Sequence, residues 1–170
     1  MRRRALLTAT AACWLAACAT APSQPANRRE ITAADILAVE PAVLRAAVLT
    51  DLRVLVQAVV IELRVAAQDE RFVIRLQEPA AADPRLAPAP AQRAWQAFAL
   101  PADGAAALLT IRQLLAWRKT DPGGVTVTVS AQPALVPADL LAALPLRIDL
   151  LVDNREGWFT QADGTLDLRR

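Results

Sequence analysis

Two stretches in which apolar and polar residues alternate give the clearest secondary-structure signal in the chain. In residues 61–67 and again in residues 71–76, large apolar side chains recur at every second position. A period of two is typical of a strand with one buried face. Because only residues 68–70 separate the two stretches, they predict an antiparallel hairpin. Opposite charges favour Glu62 across from Arg75, by something under about 1 kcal/mol over a register that opposes two arginines.

The remaining patterns predict a mixture of short strands and helices. Thr32 and Asp35 form a capping box ahead of a short helix, and residues 42–49 favour a strand. Further strands are predicted at 95–100 and 125–131, a short helical segment at 138–144, and a second hairpin at 146–152 and 158–168. Strands and hairpins outnumber helices, so the sequence predicts an α+β fold with a mainly antiparallel sheet built from hairpins.

The strongest helix signal covers about residues 103–118, after Pro101 and before the helix-breaking sequence TDPGG. Its apolar stripe consists of Ala105, Leu108, Ile111 and Leu115, with Leu109 and Trp117 on the flanks. Such a stripe is typical of a helix that packs one face against a core. We therefore expect this one main amphipathic helix to cover the sheet.

The composition changes at residues 79–92, which hold four prolines and six alanines without a hydrophobic period. A segment of this kind predicts a long exposed loop or a linker. As a linker, it would divide residues 31–170 into two pieces that are too small to be stable without disulfides or a metal. We therefore favour a single domain at 31–170 with a Pro/Ala-rich loop at 79–92.

The charge distribution argues against nucleic-acid binding. The formal net charge is +2, but Arg2, Arg3 and Arg4 lie in the first four residues, and the rest of the chain is close to neutral. Binding of nucleic acid needs a basic patch, whereas the remaining arginines are interspersed with carboxylates. We expect no nucleic-acid partner.

The N-terminus has the three parts of an export signal: the basic start MRRR, an apolar stretch, and small residues before a cleavage site. The apolar run is too short to span a bilayer, which takes about 20 residues. The sequence Leu15-Ala16-Ala17-Cys18 resembles the lipobox of bacterial lipoproteins. This resemblance implies a signal peptide at 1–17, a diacylglyceryl group on the sulfur of Cys18, and a lipidated flexible tether at 18–30.

Other interpretations of the N-terminal segment stay open. Cys13 follows Thr10-Ala11-Ala12, which lacks the aliphatic residue of a lipobox, so Cys18 is favoured as the attachment site. Cleavage after Ala19 by an ordinary signal peptidase would free the chain, and an uncleaved apolar segment would tether it. Since Cys13 would leave with the signal, no intramolecular disulfide is expected in the mature chain.

The resemblance to lipoproteins also implies a location. No aspartate follows Cys18, where it would signal retention in the inner membrane of enteric bacteria. We therefore expect the lipid anchor to hold the protein at the outer membrane of a Gram-negative-type cell envelope, on the periplasmic face.

The residue inventory excludes many catalytic and metal sites. The chain has no histidine, and both of its cysteines lie in the N-terminal segment, so Ser–His and Cys–His catalysis and His/Cys zinc sites lack their residues. An acid and base pair for glycan hydrolysis could come from the C-terminal carboxylates: Asp149, Asp153, Glu156, Asp163 and Asp167. Their places in hairpin turns and on the polar side of a strand favour structural roles. We expect no catalytic residue, metal or cofactor.

Aromatic residues supply a candidate partner-binding surface. Trp158 and Phe159 are adjacent on one predicted strand, so their side chains point to opposite faces, and at least one must leave the core face. Together with Trp95 or Trp117 it would form a recognition patch, although packing in the core or at a sheet edge explains these residues as well.

The sequence predicts a membrane-anchored envelope lipoprotein that is noncatalytic and that binds an envelope protein partner or supports envelope assembly. Two alternatives stay open. One is a carrier of a lipid or other apolar ligand in the space between sheet and helix; the other is a carboxylate-dependent enzyme acting on cell-wall glycan. No pattern identifies a specific activity.

Overall fold

The computed structural model describes residues 28–166 and residue 168, so the predicted signal peptide and most of the predicted tether lie outside the described residues. The described elements are α1 (Ala33–Ala38), β1 (Arg45–Asp51), β2 (Leu55–Val65), β3 (Glu70–Leu76), β4 (Glu78–Ala80), β5 (Arg93–Ala99), α2 (Ala102–Trp117), β6 (Val125–Leu135), β7 (Leu144–Leu151) and β8 (Phe159–Leu166). Short 3-10 turns occur at Ala66–Gln68, Pro122–Gly124 and Ala138–Leu140.

The strands form two antiparallel sheets, which confirms the predicted α+β class. One sheet has the order β4-β5-β1-β7-β8, and the other has the order β3-β2-β6. A single cluster of buried residues takes side chains from both sheets and from both helices, including Ile61 of β2, Val48 of β1 and Leu108 of α2. The core therefore lies between two facing sheets, and not between one sheet and one helix as the sequence patterns predict.

The two sheets are joined at their central strands. A short turn connects β1 to β2, and Gln96 of β5 forms two hydrogen bonds with this turn. Its side-chain amide donates to the carbonyl of Val54 (2.8 Å) and accepts from the amide of Val56 (2.9 Å). A half-buried glutamine therefore satisfies backbone groups at the point where the chain passes between sheets.

The predicted capping box starts α1. The Thr32 side chain accepts from the Asp35 amide (3.3 Å), and the Asp35 carboxylate accepts from the Thr32 amide (2.8 Å). These reciprocal bonds satisfy backbone donors that have no partner within the helix. Ile36, on the inner side of α1, is fully buried. The prediction of a short helix at this place is confirmed.

The hairpin of β2 and β3 is confirmed, but its predicted register is wrong by two residues. Glu62 lies opposite Val73, and the two arginines Arg64 and Arg71 lie directly opposite each other. Their repulsion is relieved because Arg71 pairs diagonally with Glu62 (2.7 Å) and Arg64 pairs with a turn carboxylate, Asp69 (3.2 Å).

The turn of this hairpin sets the register. A 3-10 turn at Ala66–Gln68 is followed by Asp69 in the left-handed conformation (φ 48°), so the strands close over a longer connection than the predicted one. A shift of two keeps every side chain on its face of the sheet. The shift places Ile61 opposite Ile74, and both side chains lie within the core.

The predicted helix is present as α2, but it is not the single amphipathic cover that the sequence suggests. Leu108, Ile111 and Leu115 are buried, as the stripe predicts. Leu109 and Trp117, placed by the sequence on the flanks of the stripe, are instead exposed to solvent. Apolar side chains therefore occupy both sides of α2.

The two helices of the described residues are linked by one arginine. Nη2 of Arg112 in α2 donates to the carbonyl oxygens of Ile36 and Val39 at the C-terminal end of α1. A cation stabilises the negative end of a helix dipole. Burial of this guanidinium lowers its pKa from the ordinary value, and its proximity to the carbonyls fixes α2 against α1.

The C-terminal hairpin is confirmed. β7 and β8 pair antiparallel, and the connecting turn closes where the Gly157 amide donates to the Asp153 carbonyl (3.0 Å). Gly157 has a φ of +79°, a conformation that favours glycine. The helical segment predicted at 138–144 is limited to the turn at Ala138–Leu140, and β6 extends beyond its predicted end to Leu135.

The strands define two ends of the molecule. The end at which the described chain begins is called the N-terminal end, and the opposite one is called the far end. At the N-terminal end, Arg28 pairs with Thr160 of β8, and α1 lies beside Val125 at the start of β6. At the far end, Leu55 pairs with Leu135, ten positions along β2 from the Val65–Val125 pair. At about 3.3 Å per residue, roughly 33 Å separate the ends. No helix within the described residues is long and apolar enough to cross a bilayer.

Candidate functional site

The three aromatic residues of the candidate recognition patch do not share one surface. Phe159 is buried on the inner face of the five-stranded sheet, and the guanidinium of Arg29 lies over its ring at 4.7 Å from the centroid. Trp95 and Trp158 are half-buried and lie towards the opposite, outer face, where the Pro/Ala-rich loop passes. A surface that includes all three side chains is therefore not formed.

The Pro/Ala-rich loop is packed against the outer face of the five-stranded sheet. It begins as the edge strand β4 and contains a turn in which the Leu86 amide donates to the Asp83 carbonyl (3.0 Å). Arg85 donates to the carbonyl of Asn154 in the β7–β8 turn (3.2 Å), and the indole of Trp95 donates to the carbonyl of Ala87 (2.8 Å). These bonds attach the loop to the sheet.

One carboxylate holds the beginning of this loop. Hydrogen bonds from the Arg85 side chain hold the pKa of Asp83 well below its usual range, and the Arg85 amide contributes as well. The Trp158 indole also faces this carboxylate and lowers its pKa, although its buried N–H lies outside the geometry of a formed hydrogen bond. Asp83 therefore connects the loop with the β7–β8 turn.

Asp83 gives the loop a defined pH dependence. Because its folded pKa lies below the unfolded value of about 3.9, the ionised carboxylate stabilises the fold above that value, and this contribution is lost as the pH falls through the folded pKa. We expect Asp83→Asn to lower the melting temperature by a constant amount between about pH 5 and 8. The difference should shrink in stronger acid; a difference that grows on acidification would contradict the assignment.

A buried ion pair lies on the same outer face. Arg147 donates from Nε and Nη2 to the two carboxylate oxygens of Asp149, both at 2.7 Å. Asp149 is almost completely buried, and the guanidinium carbon of Arg147 lies 5.5 Å from the centre of the Trp95 ring. This arrangement satisfies both charges, so Asp149 has a structural partner.

The other described candidate carboxylates lie in the β7–β8 turn and on β8. The Asp153 carboxylate accepts from the Arg155 amide (2.7 Å), and Glu156 pairs with Arg29 (2.8 Å). Asp163 is exposed, and Asp167 lies outside the described residues. Within the described part of the chain, no group of three or more potential ligands could hold a metal ion. Of the described candidates, Asp153 and Glu156 line one cavity beside Arg29 and Asp35, whereas Asp149 and Asp163 are not among the residues that line it.

Several concave regions could accept a ligand, and one of about 480 Å³ is lined by Arg29, Asp35, Asp153 and Glu156. A cavity of about 250 Å³ lies between the loop and the sheet, next to Arg45, Arg85, Ala97 and Trp158. A groove of about 480 Å³ lies beside the edge strand β6 at the N-terminal end. Its walls include Ile31, Ala33, Val125 and Val127, which gives this groove an apolar character. The interior between sheets and α2 is instead occupied by the core cluster.

Three exposed apolar side chains lie at the far end and were not singled out by the sequence patterns. Leu52, Leu55 and Leu135 are 64%, 56% and 61% exposed. Leu55 and Leu135 are cross-strand partners, and Leu52 lies in the turn just before β2. We call these three residues the far-end leucines.

Charged residues border the far-end leucines. Arg53 pairs with Asp51 (3.0 Å) and with Asp139 (3.1 Å). Hydrogen bonds from Arg53 lower the pKa of Asp51, and the same bonds raise the pKa of Arg53. An apolar centre with a charged rim is the usual composition of a protein interface. The sequence signal for it is slight, because residues 52, 55 and 135 become neighbours only through the pairing of β2 with β6.

Comparison with known proteins identifies no relative. No family model matches the chain, and no curated protein or solved structure shows significant similarity to it.

Proposed function

We propose that this protein is a lipid-anchored lipoprotein of the cell envelope and that it acts as a noncatalytic binding or assembly module facing the periplasm. Support for the anchor comes from the lipobox that ends at Cys18. Support for a binding role comes from one structural observation, the cluster of far-end leucines, which exposes large apolar side chains within a charged rim. The partner in this proposal is a protein of the envelope.

The position of the far-end leucines supports a partner that lies away from the anchoring membrane. The described chain enters at Arg28, beside α1, and Arg29 is held there by ion pairs with Asp35 and Glu156, both at 2.8 Å. The leucines lie at the opposite end of the strands. An anchor at Cys18 would therefore leave them free to face the periplasm.

The ion pairs and hydrogen bonds that engage the candidate carboxylates support a role that is not enzymatic. Asp149 and Glu156 are engaged in ion pairs, and Asp153 holds a turn. Glycan hydrolysis by two carboxylates requires them to face each other across one substrate. A second candidate, a carrier of an apolar ligand, is favoured only by the groove beside Ile31 and Val125.

In-cell crosslinking tests the proposed partner surface. With a photoreactive amino acid in place of Leu52, irradiation should produce an adduct of defined mass. We expect the double substitution Leu55→Gln and Leu135→Gln to reduce its yield at least about tenfold, because a loss of 1.4 kcal/mol in binding already gives that factor.

The matched control is Leu109→Gln, which makes the same chemical change at an exposed leucine of α2 and should leave the adduct unchanged. An adduct that survives the double substitution would refute the proposed surface. Stoichiometric lipid extracted from the purified protein, with no adduct formed, would favour the carrier instead.

A further inference from the structure

The outer side of α2 is an apolar helix surface that remains exposed to solvent. It comprises Ala106, Leu109, Thr110, Gln113, Ala116 and Trp117, all of them exposed, and its charged neighbour is Asp103, one turn before Ala106. Trp117 is 80% exposed and Leu109 is 47% exposed. We call these six residues the outer α2 face.

The residue chemistry of this face is unusual for a helix in water. A helix at a protein surface normally carries charged and polar residues on its solvent side, and a helix that is hydrophobic all round is normally buried. The one hydroxyl of the face has a hydrogen-bond partner within the helix, because Thr110 Oγ1 donates to the carbonyl of Ala106 (3.0 Å). The side of α2 that packs into the core consists of Leu108, Ile111 and Leu115. Packing against the core therefore does not explain the apolar side chains on the outer face.

The outer α2 face belongs to the N-terminal end of the molecule. Arg112 attaches the middle of α2 to the carbonyls of α1, and Arg118 just after α2 pairs with Glu70. Glu70 lies opposite Val65, at the end of β2 that is distant from the far-end leucines. Trp117 therefore lies towards the end of the strands that holds Val65 and Val125, beside which α1 lies.

We infer that the outer α2 face rests on the lipid bilayer and forms a second membrane contact beside the lipid anchor. This inference depends on the proposed function, because it takes the anchor at Cys18 as the first contact. Arg28 follows Cys18 by ten positions in the sequence. At about 3.5 Å per position, the distance between them is at most roughly 35 Å. That length exceeds the diameter of α1, about 10 Å, so the tether allows α2 to reach the same bilayer.

The end of α2 has the chemistry of a membrane interface. Trp117 is followed by Arg118 and Lys119, and tryptophan together with basic residues is enriched where a helix meets lipid headgroups. Helices that lie in the interface place Trp and Leu into the acyl boundary and basic residues at the headgroups. Arg28, which is exposed at the same end of the molecule, adds a further positive charge.

A second copy of the chain is a poorer occupant of this face. Stable dimers usually bury about 800 Å² and roughly 20–30 residues per partner, whereas the outer α2 face supplies six side chains, of which Ala106, Thr110 and Ala116 are small. A bilayer held nearby by the anchor needs far less affinity, because the tether makes the second contact intramolecular.

The depth of Trp117 in the membrane tests this inference. The lipidated mature protein is reconstituted into vesicles of phosphatidylethanolamine and phosphatidylglycerol, part of which carry brominated acyl chains. The fluorescence of Trp117 is obtained as the difference in fluorescence between the parent protein and Trp117→Phe. We expect brominated lipid to quench more than about half of it, as for a side chain at the acyl boundary. Adding Leu109→Gln to the parent protein should reduce this quenching.

A matched reporter at the far end supplies the control. Leu55→Trp in the Trp117→Phe background places an exposed indole at the far end of β2, roughly 33 Å from Val65, and it should not be quenched. Equal quenching at both ends, or no quenching at Trp117 in protein that floats with the vesicles, would overturn the inference and leave the anchor intact. A dimer in sedimentation that dissociates on Trp117→Phe, without quenching, would also overturn it.

Failure of the anchor is distinguishable from failure of the second contact. A protein that carries no lipid and does not float refutes the anchor. That unlipidated protein is then coupled through the Cys18 thiol to the same brominated vesicles, which restores the tether. Quenching of Trp117 supports the second contact, and the absence of quenching refutes it.

Discussion

Cys18→Ala is expected to abolish lipid labelling and to move the protein from the membrane fraction to the soluble fraction. The lipobox resemblance implies that the thioether at Cys18 carries the diacylglyceryl group, so no acyl chain can be attached without this sulfur. One acyl chain gives only marginal membrane binding, and stable anchoring takes at least two. Metabolic labelling with a radioactive or clickable fatty acid, followed by membrane flotation, measures both consequences.

Cys13→Ala is the matched control, because it removes the second cysteine of the same segment and should leave labelling and flotation unchanged. Lipid labelling that persists in Cys18→Ala would refute the attachment site. Should Cys18→Ala lose its label but still float, the outer α2 face or an uncleaved apolar segment must hold it, and the protein's N-terminal sequence separates these two cases.

Arg147→Met is expected to produce the largest loss of stability among single changes of a surface arginine. It leaves the carboxylate of Asp149, which is almost completely buried, without the two hydrogen bonds that it now accepts. Removal of one partner from a buried ion pair costs about 3–5 kcal/mol. Urea denaturation followed by tryptophan fluorescence measures the free energy of unfolding, since Trp95 lies against Arg147.

Two further variants separate this effect from a general loss of charge. Arg64→Met removes an ion pair whose side chains are 66% and 88% exposed, and exposed pairs contribute about 1 kcal/mol or less. The double substitution Arg147→Met and Asp149→Leu replaces the pair by apolar groups and should recover most of the lost stability. A cost for Arg147→Met no larger than that for Arg64→Met would contradict the buried pair.

Local patterns predicted the individual elements well, because the signals that specify them are themselves local. The capping box at Thr32 needs only residues within one helical turn, and the alternation around Ile61 and Ile74 needs only the pleat of a strand. The register of that hairpin was wrong, since the 3-10 turn and the left-handed Asp69 decide it. A charge preference of less than about 1 kcal/mol cannot override the turn.

The candidate surfaces were harder to predict, because exposure depends on partners that are distant in the sequence. Trp95 was a candidate for recognition, but a loop residue, Ala87, takes its indole N–H. Leu55 and Leu135 lie eighty positions apart, so no local pattern predicted that they would form a surface. Their pairing at the ends of β2 and β6 leaves both exposed.

The sequence by itself determined the α+β class, the position of α2, the two hairpins and the lipobox that motivates the proposed anchor. Each of these follows from spacing over a few residues, which fixes backbone conformation or a recognition motif locally. Only the tertiary structure decided that two sheets enclose the core, that Asp149 is buried with Arg147, and that α2 exposes Trp117. These outcomes depend on which strands and helices pack together, and packing determines which apolar and charged groups are removed from water.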